Sequence, residues 1–448
     1  MLNYIWLALV LCAVAIGGWN DRFKEVTDGA FDGARTAVTI ALGLIGIMAL
    51  WLGVMRLAER AGLVQQIARA LRPIMRRLFP DVPADHPALG SMVMNMAANM
   101  LGLGNAATPL GLRAMRDLET LNPHPGIATN AMCTFLAINT SSVQLIPTTA
   151  IAILAASGST RPTAIVGTAL LATICAATVA IVSVKLLEKL PLFQARPRET
   201  GVADDSPHRS APQSSPLPED AAEILTPARP VSRWGRLVLV LLLVLFAALF
   251  LRMVAPQLFH LSPPSDAAAQ NVFVRGVNAL SILAIPFLLS FFPLYAAVRG
   301  IKVYDEFVEG AKEGFGVILK IIPFLVTMLV AIGMFKGAGG ITLLTDALNP
   351  VLTPLHFPPD LLPLALMRPL SGSATLALFT DIVHRLGPDN IVSLTAGTLY
   401  GSTETTFYVA AVYFGAVGVK QTRHAIPAGL LADLTGVIAS VVICRAVL

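Results

Sequence analysis

The chain has 448 residues, 55% of them hydrophobic and 13% charged, with a net charge of +5. Soluble domains carry roughly 25% charged residues, so a chain of mean hydropathy +0.71 lacks the polar groups for a water-facing surface and belongs in lipid. The basic residues sit between apolar runs without zinc-finger, recognition-helix or RNP spacing, which excludes a nucleic-acid binder and assigns the charge to membrane topology.

In chain order, apolar runs of spanning length cover about residues 2–18, 36–55, 126–157 and 163–187, then 234–254, 271–297, 317–335, 388–417 and 423–447. This predicts an all-α polytopic membrane protein of about nine spans. The first run has no basic n-region and no small-residue cleavage site, so it reads as a retained span rather than a signal peptide. Runs 126–157 and 388–417 are too long for one upright helix. Each is interrupted by a polar cluster, Asn139-Thr140-Ser141-Ser142 and Gly401-Ser402-Thr403-Glu404, so both are expected to be broken helices. Segments 88–110 and 361–380 are short, apolar and rich in Gly, Ser, Asn or Pro, the pattern of two re-entrant hairpins. Amphipathic stretches 58–78 and 301–316 are expected to lie in the membrane interface. Residues 194–232 hold Pro197, Pro207, Pro212, Pro216, Pro218, Pro227 and Pro230 among serines and charges, and are expected to be a disordered linker. The expected units are 1–193, the linker 194–232, and 233–448.

The two units align with each other. Asp32-Gly33-Ala34 matches Glu309-Gly310-Ala311 and Leu71-Arg72-Pro73 matches Leu348-Asn349-Pro350, both at a shift of 277. Met94-Asn95-Met96 falls near Met367-Arg368-Pro369. Further on the shift is 262–263: Pro125 with Pro388, Thr140 with Ser402, Gly167 with Gly429. Run 234–254 is then an extra crossing that inverts the second unit. Charge agrees: Arg56, Arg60, Arg69, Arg72, Arg76 and Arg77 follow the second span, whereas only Lys336 marks the matching stretch 336–360. The expected orientation is N-terminus cytoplasmic and C-terminus outside, in the inner (plasma) membrane. Inverted repeats are a common secondary-transporter design, with the site at the repeat interface.

Three clusters could line such a site. Asn95 and Asn99 share a helix face, and Asn105 and Thr108 follow a Gly102–Gly104 turn. Amides can replace the hydration shell of a polar solute, but they also join membrane helices. Arg368, followed by Ser371 and Ser373, needs a carboxylate, carbonyls or an anionic solute, because a buried cation is costly. Asp381, Glu404 and Asp433 are the candidate partners. Asn139 and Ser142 stand opposite Ser402, Thr403 and Glu404 at the two helix breaks, where half-helix ends offer backbone groups to a solute. Glu404 is a candidate for proton coupling or for pairing with Arg368.

Cys12, Cys133, Cys175 and Cys444 each lie alone in apolar runs and are expected to be buried hydrophobes. No nucleotide-binding, zinc-protease or hydrolase motif occurs, so neither catalysis, a metal nor a cofactor is expected. The expected partners are a small polar solute, a coupling proton or sodium ion, the bilayer, and further copies of the chain.

The segment Asn99-Met100-Leu101-Gly102-Leu103-Gly104-Asn105-Ala106-Ala107-Thr108-Pro109 resembles the signature of spore maturation protein A. Arg368-Pro369-Leu370-Ser371-Gly372-Ser373 and Gly401-Ser402-Thr403-Glu404-Thr405-Thr406-Phe407-Tyr408-Val409 resemble spore maturation protein B. The resemblance covers nearly the whole chain, with the linker as the fusion point. It implies two inverted copies of the nucleoside-recognition, or gate, domain, and leaves the substrate open. The functional expectation is a permease for a small polar solute; the alternative is a non-transporting scaffold or regulator of cell-envelope processes.

Overall fold

The computed structural model describes residues 2–102, 104–193, 230–259, 272–340, 342–343, 346–347, 350 and 357–448. Nearly all of the expected linker, 194–229, lies outside the described residues. The described residues form an all-α architecture, as a backbone in lipid must satisfy its own hydrogen bonds. The helices are α1 (Leu2–Trp19), α2 (Phe23–Arg60), α3 (Leu63–Leu78), α4 (Pro87–Met100), α5 (Gly104–Glu119), α6 (Asn130–Ser141), α7 (Thr148–Ala156) and α8 (Ile165–Leu187). After the linker come α9 (Arg233–Val254), α10 (Val272–Val298), α11 (Val303–Gly337), α12 (Leu362–Met367), α13 (Gly372–Leu386), α14 (Ile391–Ser402), α15 (Thr406–Ala416) and α16 (Ala425–Val447).

Among the described residues, 6 helices are long and apolar enough to cross a membrane alone: α2, α8, α9, α10, α11 and α16. The rest of the expected nine are α1 and two interrupted paths, α6–α7 and α14–α15. The protein is a multi-pass membrane protein.

The longest helices, α2 and α11, pack antiparallel along much of their length. Glycines permit it. Gly33 lies against the Leu329 carbonyl, and Gly310 against the Leu52 carbonyl. At the shift of 277, Gly33–Leu329 maps onto Gly310–Leu52, so one contact is the two-fold mate of the other. Surface ion pairs repeat too: Asp32–Arg35 at 3.9 Å and Glu309–Lys312 at 2.9 Å. Residues 301–316 are not a separate interfacial helix. Gly310 and Gly314 seat the start of α11 directly on Leu52 and Ala49 of α2, so the helix runs unbroken into its span. Arg56 joins this seam to Glu306 at 2.9 Å and Glu313 at 2.6 Å. Residues 63–78 do form a separate helix, α3, turned off α2 by Gly62 at φ 78°.

Both hairpins are present and longer than their apolar cores. In α4–α5 the turn includes Gly102 at φ 74°. In α12–α13 the Ser371 hydroxyl caps the second helix, accepting from Ala374 N at 3.2 Å. The loops after α7 and before α14 meet where Asp389 accepts from Ser159 Oγ at 2.5 Å and Thr160 Oγ1 at 2.7 Å, bonds that hold its carboxyl down at about 2. At the other end of the molecule Ala128 N donates to Gln421 O at 3.0 Å. The cysteine expectation holds for half the set: Cys133 and Cys444 are buried, but Cys12 and Cys175 are exposed on the apolar outside. A thiol, a small hydrophobe, is as compatible with lipid as with the core.

Candidate functional site

The two interrupted paths cross each other at their breaks. In α6–α7 the helix stops at Ser142, whose φ of 29° no regular helix accepts, and restarts after Pro147. In α14–α15 it stops at Thr403, in extended conformation, and restarts at Thr406. The Glu404 amide in the second break donates to Thr140 O at the end of α6, at 2.6 Å. Each break is also tied to the hairpin of its own repeat. Leu145 N donates to Met100 O at 3.0 Å, and Phe407 N donates to Pro369 O at 3.0 Å. Leu145 and Phe407 are repeat mates at shift 262, so the two bonds are the same joint made twice. These three bonds satisfy part of the unwound backbone from protein, one of the two options in a bilayer, the other being a watery cavity.

One group of predicted residues converges in an amide network. Asn99 Nδ2 donates to Asn139 Oδ1 at 2.9 Å, and Asn139 Nδ2 donates to Phe135 O at 2.9 Å. Asn95 Nδ2 donates to Ala107 O at 2.7 Å, with Tyr413 Oη at 3.3 Å. Tyr413 Oη also donates to Asn139 Oδ1 at 3.4 Å, and its ring stacks on Phe135 at 5.8 Å. Tyr413 was not among the expected residues. Its approach depends on Gly111, where a Cβ would strike the phenol; a glycine in the second arm of the first hairpin was the available signal. Asn95 and Asn139 are buried, while Asn99 is half-buried. Thr108 is half-buried on α5; the Asn105 side chain lies outside the described residues.

A second group gathers at the breaks. Glu404 is half-buried and accepts from Gln144 Nε2 at 3.3 Å. Ser402 and Thr403 are buried, and Ser402 Oγ bonds back to Leu399 O at 2.9 Å. Ser142 is buried, with its hydroxyl unpartnered. Behind the second break stands Asp433 of α16, 3% exposed. Thr406 Oγ1 donates to its Oδ2 at 2.6 Å, and its Oδ1 is unpartnered. Gly429 and Gly436 flank Asp433 and let Thr406, Ser402 and Thr403 close on α16.

Arg368 is not the ion-pair partner of a carboxylate. It is buried at the turn of the second hairpin, donates from Nη2 to Tyr400 O at 2.9 Å, and lies over the Tyr400 ring at 5.1 Å. Among the described residues no acidic oxygen lies within 4.0 Å of it; Asp381 instead meets Arg385 at 3.6 Å. The physical reason is the end of α14. Its last carbonyls lack helical partners and carry the negative end of the helix dipole, so a cation is favourable there, and the aromatic face adds to it. Ser371 and Ser373 lie together on the next turn, Oγ to Oγ at 3.2 Å.

In the loop before α16, His424 is fully buried, edge-on to Phe193 at 6.1 Å, with both ring nitrogens unpartnered. Burial and the nearby Arg423 and Lys185 push its imidazole down to about 4.

The nucleoside-recognition gate model matches residues 41–158, the stretch holding the first hairpin and first broken helix. Spore maturation protein A of Bacillus subtilis (strain 168) is 44% identical over 182 residues, 41% of this chain and 93% of the relative. Spore maturation protein B of the same organism is 44% identical over 167 residues, 37% of this chain and 94% of the relative. No solved structure matches the chain significantly. Matching two such relatives over nearly their full lengths, on a helical frame with a gate domain, the chain belongs to the spore maturation protein A and B family of nucleoside-recognition membrane proteins.

Proposed function

We propose that the protein is a permease for a small polar solute, bound where the two broken helices cross. The observation that carries this reading is the bond from Glu404 N to Thr140 O, which brings both breaks to one place. Around it stand half-buried polar side chains, Asn99, Gln144 and Glu404, backed by buried Asn139, Ser142, Arg368 and Asp433. Unwound backbone beside titratable groups at the interface of inverted repeats is the usual construction of a transporter site. Glu404 and Asp433 are the groups on which a coupling proton or sodium ion would act. The orientation that goes with this reading is N-terminus cytoplasmic, C-terminus outside, in the inner membrane; no catalytic step is involved.

A thermal-shift screen of nucleosides and other small polar metabolites on purified protein tests it, since a ligand of the folded state raises stability. The hit should then be taken up by proteoliposomes, and Glu404→Gln should abolish gradient-driven uptake while assembly is kept. One observation favours a second reading, a non-transporting scaffold of the cell envelope: Asn95, Asn99 and Asn139 already bond to one another or to backbone, as helix-joining amides do. A screen without hits, together with no solute uptake by proteoliposomes, would favour that scaffold.

A further inference from the structure

We propose that the outer face of α3 is a binding site for the phosphate headgroups of anionic phospholipids. Arg69, Arg72 and Arg76 are spaced by three and four residues, so they share one helix face, with Arg77 beside them. The adjoining face, with Val64, Ala68 and Met75, is buried. All four arginines are exposed, and among the described residues none has an acidic oxygen within 4.0 Å. The contrast with the end of α2 is sharp, because Arg56 and Arg60 are both neutralised by Glu306, at 2.9 and 3.3 Å. Asp81 and Asp85, the acids nearest in the chain after α3, are exposed and make no ion pair with the arginines.

The depth of α3 is fixed by its neighbours. It follows the α2 span after a two-residue turn. Gln66 bonds to the Tyr295 hydroxyl near the end of α10, and Arg299 Nε donates to Ala61 O at 3.0 Å. Gly235 near the start of α9 packs on Val298, which puts Trp234, 78% exposed, at the same end of the molecule. Tyr and Trp at the ends of apolar spans mark the headgroup level. Ile74 is 55% exposed beside the arginines; an apolar side chain among cations suits a surface that meets both headgroups and acyl chains. Guanidinium forks match phosphate oxygens in pairs, so unneutralised arginines at that depth select an anionic headgroup over a zwitterionic one.

The purified protein is titrated with phosphatidylglycerol or phosphatidylcholine, following the melting temperature and the lipids retained in native mass spectrometry. Phosphatidylglycerol should raise the melting temperature and be retained, and phosphatidylcholine should do neither. Each arginine changed to Gln should weaken phosphatidylglycerol binding about fivefold, and the quadruple change should remove the effect, while four Arg→Lys changes keep part of it. Salt at 1 M, with a Debye length of about 3 Å, should weaken it strongly. Equal responses to the two lipids, or an undiminished response in the quadruple Gln variant, overturn the proposal. An equal response to inorganic phosphate would overturn it in favour of a soluble anion. If the quadruple variant does not fold, Arg76→Gln with Arg77→Gln decides, with unchanged phosphatidylglycerol binding counting against the lipid site.

Discussion

The amide of Glu404 and the carbonyl of Thr140 are joined at 2.6 Å across the repeat interface, although 264 residues separate them in the chain. Each belongs to the broken end of a helix, and the bond satisfies two backbone groups that neither helix could satisfy alone. Among the described residues, the carboxylate of Glu404 is held by Gln144 alone, at 3.3 Å. The backbone of this residue is thus structural, while its side chain is left available for chemistry.

The seam between α2 and α11 tolerates no side chain at its glycines. Gly33→Ala and Gly310→Ala should each lower stability by about 1–3 kcal/mol, the usual cost of overpacking, because the added methyl meets a backbone carbonyl. Gly46→Ala in the same helix has nothing within 4 Å of the new atom and should be neutral or stabilising by up to about 1 kcal/mol. Melting curves of the three variants in detergent check the contrast; equal losses at all three positions would contradict the close-packed seam.

Arg368 owes its place to Tyr400 and not to Glu404. Tyr400→Leu keeps the carbonyl bond and removes the ring, and should cost about 0.5–2 kcal/mol. Arg368→Met should cost more, since it also strips the end of α14 of its cation. Glu404→Gln should leave the melting temperature close to that of the parent. A large destabilisation by Glu404→Gln that Arg368→Met relieved would restore the ion pair.

His424 should make the protein acid-sensitive. Its folded value of about 4 lies below the usual 6.5 or so of a histidine, so the unfolded chain binds the proton more readily. Stability is therefore complete above pH 6.5 and declines as pH falls from 6.5 toward 4. Asp389 acts only lower, since its stabilising bonds are lost as pH falls from about 3.8 to about 2. Melting temperature against pH, compared between the parent and His424→Phe, isolates the histidine: the decline between pH 6.5 and 4 should shrink in the variant.

Single cysteines in a background without Cys12, Cys133, Cys175 and Cys444 test the orientation. Arg72→Cys should react with an impermeant thiol reagent from the cytoplasmic side, and Leu343→Cys from the outside. Labelling of both from one side would sink the inverted arrangement.

Sequence alone determined the all-helical, multi-pass class, the two hairpins, the two broken helices and the internal repeat, because each is written in local composition or in self-similarity along the chain. Apolar length demands helices in lipid, and polar clusters such as Ser141-Ser142 and Thr403-Glu404 mark where a helix cannot continue. Periodicity also separated α3 as an amphipathic helix, yet it misjudged 301–316, whose fate depends on Gly310 and Gly314 finding α2. Tertiary structure decided the partners. A buried arginine can be satisfied by a carboxylate, by the carbonyls of a helix end or by an aromatic face, and only packing selected Tyr400 for Arg368. It likewise brought Tyr413 to Asn95 and Asn139 through the space left by Gly111. Such contacts join residues from 32 to 318 positions apart, and no local pattern encodes which of several chemically adequate partners the fold will place within hydrogen-bond reach.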